Sequence, residues 1–197
     1  MPQSNKMNLN YHLILASKSP RRQALLKGLD LDFEIRTREV DESFPEDMPV
    51  REVAEFLAVK KSEAFGTLAE KELLITSDTT VVLGDAIMNK PADGQEATKM
   101  LEQLSGRVHE VVTGVCLRSA ERTVRFSETT QVFLRELAAH EIQYYIDKYR
   151  PFDKAGAYGI QEWIGMAAIE KIEGDYYNVM GLPMAALYGQ LRQNFGD

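Results

Sequence analysis

The segment that follows the first apolar stretch of the chain combines hydroxyl groups with two arginines at a helix start. Ser17 and Ser19 precede Pro20, which suits the first helical position because that position has no backbone hydrogen bond to lose. Arg21 and Arg22 then lie near the positive end of the helix dipole, where a cation costs roughly 0.3–1 kcal/mol. A phosphate chain would offset this cost, because free N–H groups, hydroxyls and guanidinium forks all bind phosphate. A solvated basic helix start is the alternative.

An aspartate and a threonine lie inside a strongly apolar stretch, residues 73–83. A carboxylate such as Asp78 is costly in a buried strand unless it is paired, hydrogen-bonded or bound to metal, so Asp78 and Thr79 favour a functional site. The Asp-x-Asp-x-Thr pattern of an aspartyl nucleophile is not met, because residue 80 is threonine. No Gly-x-x-x-x-Gly-Lys-Ser/Thr loop occurs either, which argues against ATPase chemistry of that kind.

Two neighbouring lysines are separated by the helical pattern of residues 49–65. Lys61 lies four residues after Leu57 and falls on the apolar, inward stripe, whereas Lys60 is rotated off it. An inward lysine either extends to the rim or points its ammonium into a polar pocket. Lys61 is therefore a candidate ligand for an anion.

Three loop segments supply further polar side chains. Asp41 and Glu42 follow the second predicted strand, where solvated loop charges are the commoner case. Lys90 lies at a strand end and faces either a cleft or water. Gln161 ends the glycine-rich segment 153–161 and offers both a donor and an acceptor, which suits the edge of a nucleobase.

The elements that must position these side chains alternate between strand-like and helix-like patterns with short connections, which favours an α/β fold. The sequence predicts strands at 12–16, 33–38, 73–83, 108–118 and 123–134. Helices are predicted at 20–27, 49–65 and 139–149. A further helix is predicted to begin after Asp93, which caps it, and to end at Gly106, and the last helix is predicted to begin near Pro183. Residues 164–172 and 176–180 are predicted to form a last hairpin. We expect residues 1–10 to be a flexible extension and residues 11–197 to form one domain.

Composition narrows the class of protein. A chain of 197 residues, 44% of them hydrophobic, can form one domain, or one domain with two lobes around a cleft. No segment approaches the roughly 20 apolar residues of a membrane span, and the polar start lacks a signal-peptide core, so we expect a cytoplasmic protein without a membrane partner. The net charge of −7 argues against a nucleic-acid groove but is compatible with a small anion. A single cysteine, Cys116, excludes internal disulfides.

Taken together, these segments resemble the Maf family of nucleotide pyrophosphatases, in the family's order and over almost the whole chain from His12 to Leu191. The matching segments are residues 17–22 (SKSPRR), 41–42 (DE), 57–61 (LAVKK), 77–79 (SDT), 90–91 (KP), 104–107 (LSGR) and 153–161 (DKAGAYGIQ). The last of them is similar to the branch that acts on dTTP and UTP. Two positions depart from the pattern: Ser62 replaces a frequent alanine, and Glu162 replaces the glycine that usually follows the glutamine.

The resemblance implies a mixed, twisted central sheet with flanking helices in two lobes around a deep cleft, similar to the inosine triphosphate pyrophosphatases. It also implies a nucleotide diphosphatase that hydrolyses dTTP and UTP, or modified pyrimidine nucleotides, to the monophosphate and pyrophosphate. Housekeeping removal of non-standard nucleotides and a link to cell division arrest are further implications. The alternatives are a 7-methyl-GTP pyrophosphatase and a non-catalytic nucleotide-binding regulator of septum formation.

Carried over position by position, the resemblance assigns a role to each candidate residue. Asp78 resembles the general base, and Glu42 and Asp78 resemble the ligands of a divalent cation, Mg²⁺ or Mn²⁺. A homodimer is also implied, with a nucleoside triphosphate as the small-molecule partner. Residues expected to contact the nucleotide are Ser17, Ser19, Arg21, Arg22, Lys61, Thr79, Lys90 and Gln161.

Overall fold

The backbone is organised around one mixed sheet with helices packed on it, in a computed structural model that describes Met7 and residues 9–196. The strands are β1 (His12–Leu15), β2 (Phe33–Ile35), β3 (Glu72–Leu83), β4 (Ala86–Met88), β5 (Val108–Arg118), β6 (Thr123–Leu134) and β7 (Ile169–Glu173). The helices are α1 (Pro20–Lys27), α2 (Val53–Glu63), α3 (Gly94–Leu104), α4 (Ala139–Tyr149), α5 (Trp163–Ala168), α6 (Tyr176–Met180) and α7 (Met184–Phe195). A 3₁₀ turn covers Ala155–Ala157.

The sheet has the strand order β2-β1-β3-β5-β6-β7, and β4 also pairs with β3. β1 is parallel to β2 and β3, whereas the pairs of β3 with β5, β5 with β6 and β6 with β7 are antiparallel. The predicted mixed α/β fold is therefore confirmed.

One edge of β3 has a gap in its pairing. β1 pairs with β3 up to Leu15 opposite Ile75, and β4 begins pairing only at Met88 opposite Val81. Residues 76–80 therefore have no strand neighbour on that edge among the described residues, although β5 pairs with them on the other edge. The gap leaves backbone carbonyls of β3 available to side chains from other elements.

The apolar core is divided at the same place. Leu73 and Ile75 of β3 belong to a cluster that includes residues of β1 and α7, whereas Val81 belongs to a second cluster that includes residues of α3 and α4. Asp78 and Thr79 lie between the two clusters and are only partly buried. Two apolar clusters separated by these two polar residues are what a two-lobed arrangement around a cleft requires.

Several predicted boundaries differ from the structure. The predicted last hairpin is wrong, because residues 163–168 and 176–180 form the helices α5 and α6 and the strand between them pairs with β6. The Asp175 side chain accepts a hydrogen bond from the Tyr177 N–H at 2.8 Å, which caps α6, and such capping decides the structure of a short apolar run that periodicity leaves open. The second strand and the second helix are also shorter than predicted.

The start of the chain lies next to its end. The predicted extension, residues 1–10, lies outside the described residues except for Met7, Leu9 and Asn10, and Leu9 forms an isolated bridge with Gly196. No helix among residues 9–196 is long and apolar enough to cross a bilayer.

Candidate active site

A cleft beside the unpaired edge of β3 brings the predicted residues together. The cleft is lined by Ser19, Arg21, Arg22, Lys61, Asp78, Thr79, Lys90 and Gln161. An adjoining depression is lined by Ser17 and Glu42 and shares Ser19, Arg22, Lys61 and Lys90 with the cleft. The ten predicted positions therefore lie in one continuous region, although they are spread over residues 17–161 of the chain.

Helix α2 positions Lys61 through a contact one turn earlier. The Thr76 hydroxyl of β3 donates to the Ala58 carbonyl of α2 at 2.6 Å. Side chains two residues apart in a strand point to the same face, and residues three apart in a helix are neighbours. Asp78 and Lys61, which follow Thr76 and Ala58 at those spacings, therefore meet.

Close packing of α2 on the sheet depends on Gly114. Gly114 of β5 lies opposite Asp78 in the sheet register. A Cβ atom at this position would lie 2.3 Å from backbone atoms of Ala54 and Glu55, where no side chain fits. A larger residue would therefore push α2, and Lys61 with it, away from β3.

The Lys61 ammonium lies between two carboxylates. Its Nζ is 2.5 Å from Asp78 Oδ1 and 2.8 Å from Glu42 Oε1. Burial raises the pKa of Glu42, but the hydrogen bond and charge of Lys61, with the charges of Lys90 and Arg22, outweigh that effect and lower it overall. The structure thus places Lys61 in the polar pocket rather than at the rim, and Asp78 Oδ2 has no hydrogen bond within the described part of the chain.

Arg22 fills the gap beside β3. Its Nη1 donates to the Ser77 carbonyl at 2.9 Å, its Nη2 to Thr79 Oγ1 at 2.9 Å, and its Nε to the Gly181 carbonyl at 2.7 Å. Burial lowers the pKa of the Arg22 guanidinium, and the nearby Asp78 charge opposes this shift. Arg22 therefore connects α1, β3 and the end of α6, with three of its donors occupied by protein.

Arg21 has a carboxylate partner of its own. Its Nη1 donates to Asp153 Oδ2 at 2.8 Å, and the Arg21 side chain is 25% exposed. Burial raises the pKa of Asp153, but hydrogen bonds from Lys154 and Arg21 outweigh this and lower it to about 2. Arg21 and Arg22, whose charges were predicted to be balanced by a phosphate, are therefore already balanced by an acid and by backbone carbonyls.

The start of α1 keeps free donors even so. Ser19 is the N-cap residue, but its side chain makes no capping hydrogen bond, and its N–H donates to Ser17 Oγ at 3.2 Å. The N–H groups of Arg21 and Arg22 have no backbone acceptor among residues 9–196. Hydroxyl and N–H donors at this helix start thus remain available to a ligand in the cleft.

Thr79 and Gln161, which are both expected to contact the nucleotide, differ in their contacts. Thr79 Oγ1 lies 2.9 Å from Thr113 Oγ1 in addition to its bond with Arg22, so it is held on both sides. Gln161 Oε1 is buried and has no hydrogen-bond partner in the described chain, which leaves an acceptor at the cleft.

Residues that the sequence analysis did not single out also shape the cleft. Asp153 and Lys154 lie within the quoted glycine-rich segment, but nothing in the local pattern shows that one binds Arg21 and that the other is buried, with 8% exposure. Nothing in the sequence distinguishes Tyr145 of α4, which is fully buried, from a packing residue. The sequence signal that could have pointed to Asp153 and Lys154 is the occurrence of an acid and a lysine beside a glycine-rich turn.

The donor set for a divalent cation is sparse. No group of three or more His, Cys, Asp or Glu side chains suited to a metal occurs in the described residues. Glu42 and Asp78 nevertheless flank a common point, which the Lys61 ammonium occupies. Mg²⁺ typically takes one or two carboxylates together with phosphate oxygens and waters, so this pair fits an ion that arrives with a phosphate substrate.

Comparison with known proteins places these features in a family. The model of the Maf family, described as Maf-like protein, matches residues 12–194. The dTTP/UTP pyrophosphatase of Parabacteroides distasonis is 50% identical over 184 residues, which is 92% of this chain and 95% of that protein. The dTTP/UTP pyrophosphatase of Porphyromonas gingivalis is 47% identical over 191 residues, which is 95% of this chain and 96% of that protein.

A solved structure of a HAM1 protein from Coxiella burnetii is also similar, with a TM-score of 0.42, 17% identity, and coverage of 63% of this chain and 73% of that one. The assignment to a family rests instead on the family model and on relatives near 50% identity that align over more than nine-tenths of both chains. The chain belongs to the Maf family.

Proposed function

We propose that this protein is a nucleotide diphosphatase that hydrolyses dTTP and UTP, or modified forms of these pyrimidine nucleotides, to the monophosphate and pyrophosphate. The observation that carries the proposal is a carboxylate with one free oxygen, Asp78 Oδ2, in a cleft whose walls also present Lys61, Arg21 and Lys90. The names of the relatives in Parabacteroides and Porphyromonas support dTTP and UTP as substrates. They do not favour 7-methyl-GTP or a non-catalytic regulator.

The reaction begins with a water molecule next to Asp78. Asp78 Oδ2 takes a proton from this water, whose oxygen bonds to the α-phosphorus while the bond from that phosphorus to the bridging oxygen breaks. Pyrophosphate leaves with the bridging oxygen and the electron pair. Lys61 holds Asp78 in place through Oδ1 at 2.5 Å, so the other oxygen faces the cleft.

Cations of the cleft stabilise the charge that develops on the leaving pyrophosphate. Arg21 binds Asp153 through Nη1 alone, so its other guanidinium N–H groups donate to phosphate oxygens, and Lys90, which is exposed and also lines the cleft, adds a second cation. Ser17 and Ser19 add hydroxyl donors at the start of α1. We assign Arg22 mainly to holding the edge of β3, because its donors already bind the protein.

A divalent cation, Mg²⁺ or Mn²⁺, belongs to the proposal, with Glu42 and Asp78 as its protein ligands. Bound there with the substrate, it would act as a Lewis acid that polarises the phosphate oxygens. Lys61, which binds one oxygen of each carboxylate, would then share Glu42 and Asp78 with the cation. Loss of Glu42 should therefore raise the metal concentration that half-maximal activity requires.

The cellular setting is part of the same proposal. Nucleoside triphosphates are made and used in the cytoplasm, so we place the protein there, with housekeeping removal of non-standard nucleotides and an effect on cell division as its roles. We also propose a homodimer. The exposed apolar side chains Met166 and Tyr177, 79% and 48% exposed, are compatible with an interface. Light scattering after size-exclusion chromatography gives the mass and tests this assignment.

The central experiment measures pyrophosphate release by the wild-type protein from dTTP, UTP, CTP, GTP and 7-methyl-GTP, with and without Mg²⁺ or Mn²⁺. We expect release from dTTP and UTP only when the metal is present. Binding without release from any nucleotide would refute the enzyme, and release from 7-methyl-GTP alone would refute the pyrimidine assignment. In ¹⁸O-labelled water, the label should enter the monophosphate; label in pyrophosphate would refute attack at the α-phosphorus.

A further inference from the structure

A chain of polar contacts runs from the phosphate end of the cleft to the buried face of α4. Arg21 binds Asp153 at 2.8 Å, and Lys154 Nζ binds Asp153 Oδ1 at 2.7 Å and Glu162 Oε1 at 3.2 Å. The Tyr145 hydroxyl donates to Glu162 Oε2. We call these five residues the Glu162 network.

The burial of Lys154 and Tyr145 makes the network costly to break. Lys154 is 8% exposed, and its ammonium is satisfied by two carboxylates, one from Asp153 and one from Glu162. A buried lysine is tolerated only when it is paired, and loss of one partner leaves charge unbalanced in a medium of low dielectric constant. Glu162 itself is held by both Lys154 and Tyr145, so its side chain has little freedom.

The network also determines the shape of the loop that carries Gln161. The Gly159 N–H donates to the Tyr145 hydroxyl at 3.0 Å, and the Glu162 N–H donates to the Gly159 carbonyl at 3.0 Å. A Cβ atom on Gly159 would lie 2.9 Å from Gln161 Nε2, 3.1 Å from Glu162 Cδ and 3.1 Å from Lys154 Cε. Three side chains thus converge on one glycine, and the amide of Gln161 packs against the same point as Glu162 and Lys154.

We propose that Glu162 is a positioning residue for base selection, which through Lys154 and Tyr145 fixes the Gln161 amide relative to Arg21. This inference rests on the proposed function and deepens it. Glu162 replaces the glycine expected after the glutamine, so the side chain adds a contact that the family pattern itself does not provide. The base end and the phosphate end of the nucleotide site are therefore connected through a single set of charges.

A purely structural role for Glu162 makes a different prediction. If Glu162 only satisfied a buried lysine, its loss would lower stability and reduce activity by the same factor with every nucleotide. If it positions Gln161, its loss changes the ratio between nucleotides, because only the base contacts depend on the Gln161 amide. The preference for UTP over CTP separates these roles, since the two substrates share the ribose and the triphosphate and differ only in the pyrimidine edge.

The test compares Glu162→Gln with wild type by kcat/KM for UTP and for CTP. The substitution keeps an acceptor for Tyr145 and removes the charge that Lys154 binds. We expect the UTP-to-CTP ratio to fall about tenfold, the lower end of the effect of losing a hydrogen bond to a charged group. Glu102→Gln, the same change at an exposed glutamate of α3, should leave the ratio unchanged.

A double substitution keeps the proposal testable if Glu162→Gln proves unstable. Lys154→Met removes the other charge of the pair, and Lys154→Met combined with Glu162→Gln should change the ratio no more than either single substitution, because the pair acts as a unit. Equal losses with UTP and CTP, or additive effects of the two substitutions, would overturn the positioning role.

The outcome for the proposed function is separate. Wild-type release of pyrophosphate from dTTP supports that function whatever Glu162→Gln does. If the wild type binds nucleotides but releases no pyrophosphate, the hydrolase proposal fails, and affinities for non-hydrolysable UTP and CTP analogues then decide the role of Glu162. An affinity ratio that Glu162→Gln leaves unchanged overturns the role, as does a wild type without preference between the two analogues.

Discussion

Replacement of Asp78 by asparagine separates the proposed chemistry from the architecture of the cleft. The change removes the negative charge and proton-accepting ability of the side chain but keeps its size and one oxygen acceptor. Lys61 retains Glu42 at 2.8 Å, so its ammonium is not left unpaired. We therefore expect Asp78→Asn to fold.

The expected magnitudes follow from these contacts. Weakening the hydrogen bond from Lys61 to Asp78, which is 2.5 Å long, should cost about 1–3 kcal/mol of stability, a minor part of the roughly 5–15 kcal/mol typical of a domain. Loss of a general base should lower turnover by about 10²–10⁴, equivalent to about 3–5 kcal/mol in the activation free energy. The loss of activity thus exceeds what the loss of stability explains.

Two measurements on the same preparation test this separation. Urea unfolding gives the free energy of unfolding, and pyrophosphate release from dTTP at saturating metal gives kcat. Asp85→Asn, the same change on an exposed turn residue, serves as the control and should leave both quantities at wild-type values. A folded Asp78→Asn protein with near-wild-type kcat would refute the role of Asp78 as the base.

Three further predictions concern binding, acid stability and packing. Arg21→Ala should raise the KM for dTTP and lower kcat/KM by roughly 10-fold or more, and unchanged kinetics would contradict a phosphate contact. Burial lowers the pKa of His109 to about 4, below the roughly 6.5 of an exposed imidazole. The contribution of neutral His109 to the free energy of unfolding is therefore complete above pH 6.5 and is lost as the pH falls towards 4. In His109→Gln, the loss of stability between pH 7 and pH 4 should be about 3 kcal/mol smaller than in the wild type, as measured by urea unfolding at both pH values. The same pH dependence in the two proteins would refute this role of His109. Gly114→Ala should destabilise the protein by about 1–3 kcal/mol or more, because the added methyl group meets the α2 backbone. Gly189→Ala, which has open space around it on α7, should not destabilise the protein. Equal unfolding midpoints of the two variants would count against close packing at Gly114.

Local patterns in the sequence were sufficient where one element alone determines the outcome. The apolar spacing of α2 turns Lys61 inward, and the structure places its ammonium beside Asp78. The interruption of an apolar strand at Asp78 identified the middle of the site without any knowledge of its partners. The last predicted hairpin failed because short apolar runs satisfy both helical and extended patterns, and a cap from Asp175 decides between them.

Partners that are distant in the chain could not be predicted in this way. Arg21 and Asp153 are 132 residues apart, and Arg22 and Gly181 are 159 residues apart. The helix start predicted a ligand that would balance both arginines, whereas the folded chain itself supplies an acid and carbonyls. Hydrogen bonds of this kind depend on which elements the fold brings into contact, and composition or spacing carries no information on that choice.

The sequence by itself determined the kinds of groups present and the faces on which they lie, since side-chain direction follows from the helical and extended periods of the backbone. Only the tertiary structure decided that β1 ends and β4 begins so as to leave the edge of β3 open, and that Arg22 occupies this edge. It also decided that Glu162 reaches Lys154 and Tyr145 rather than solvent. Backbone periodicity is a local property, whereas partner choice is settled by packing between segments that are remote in the chain.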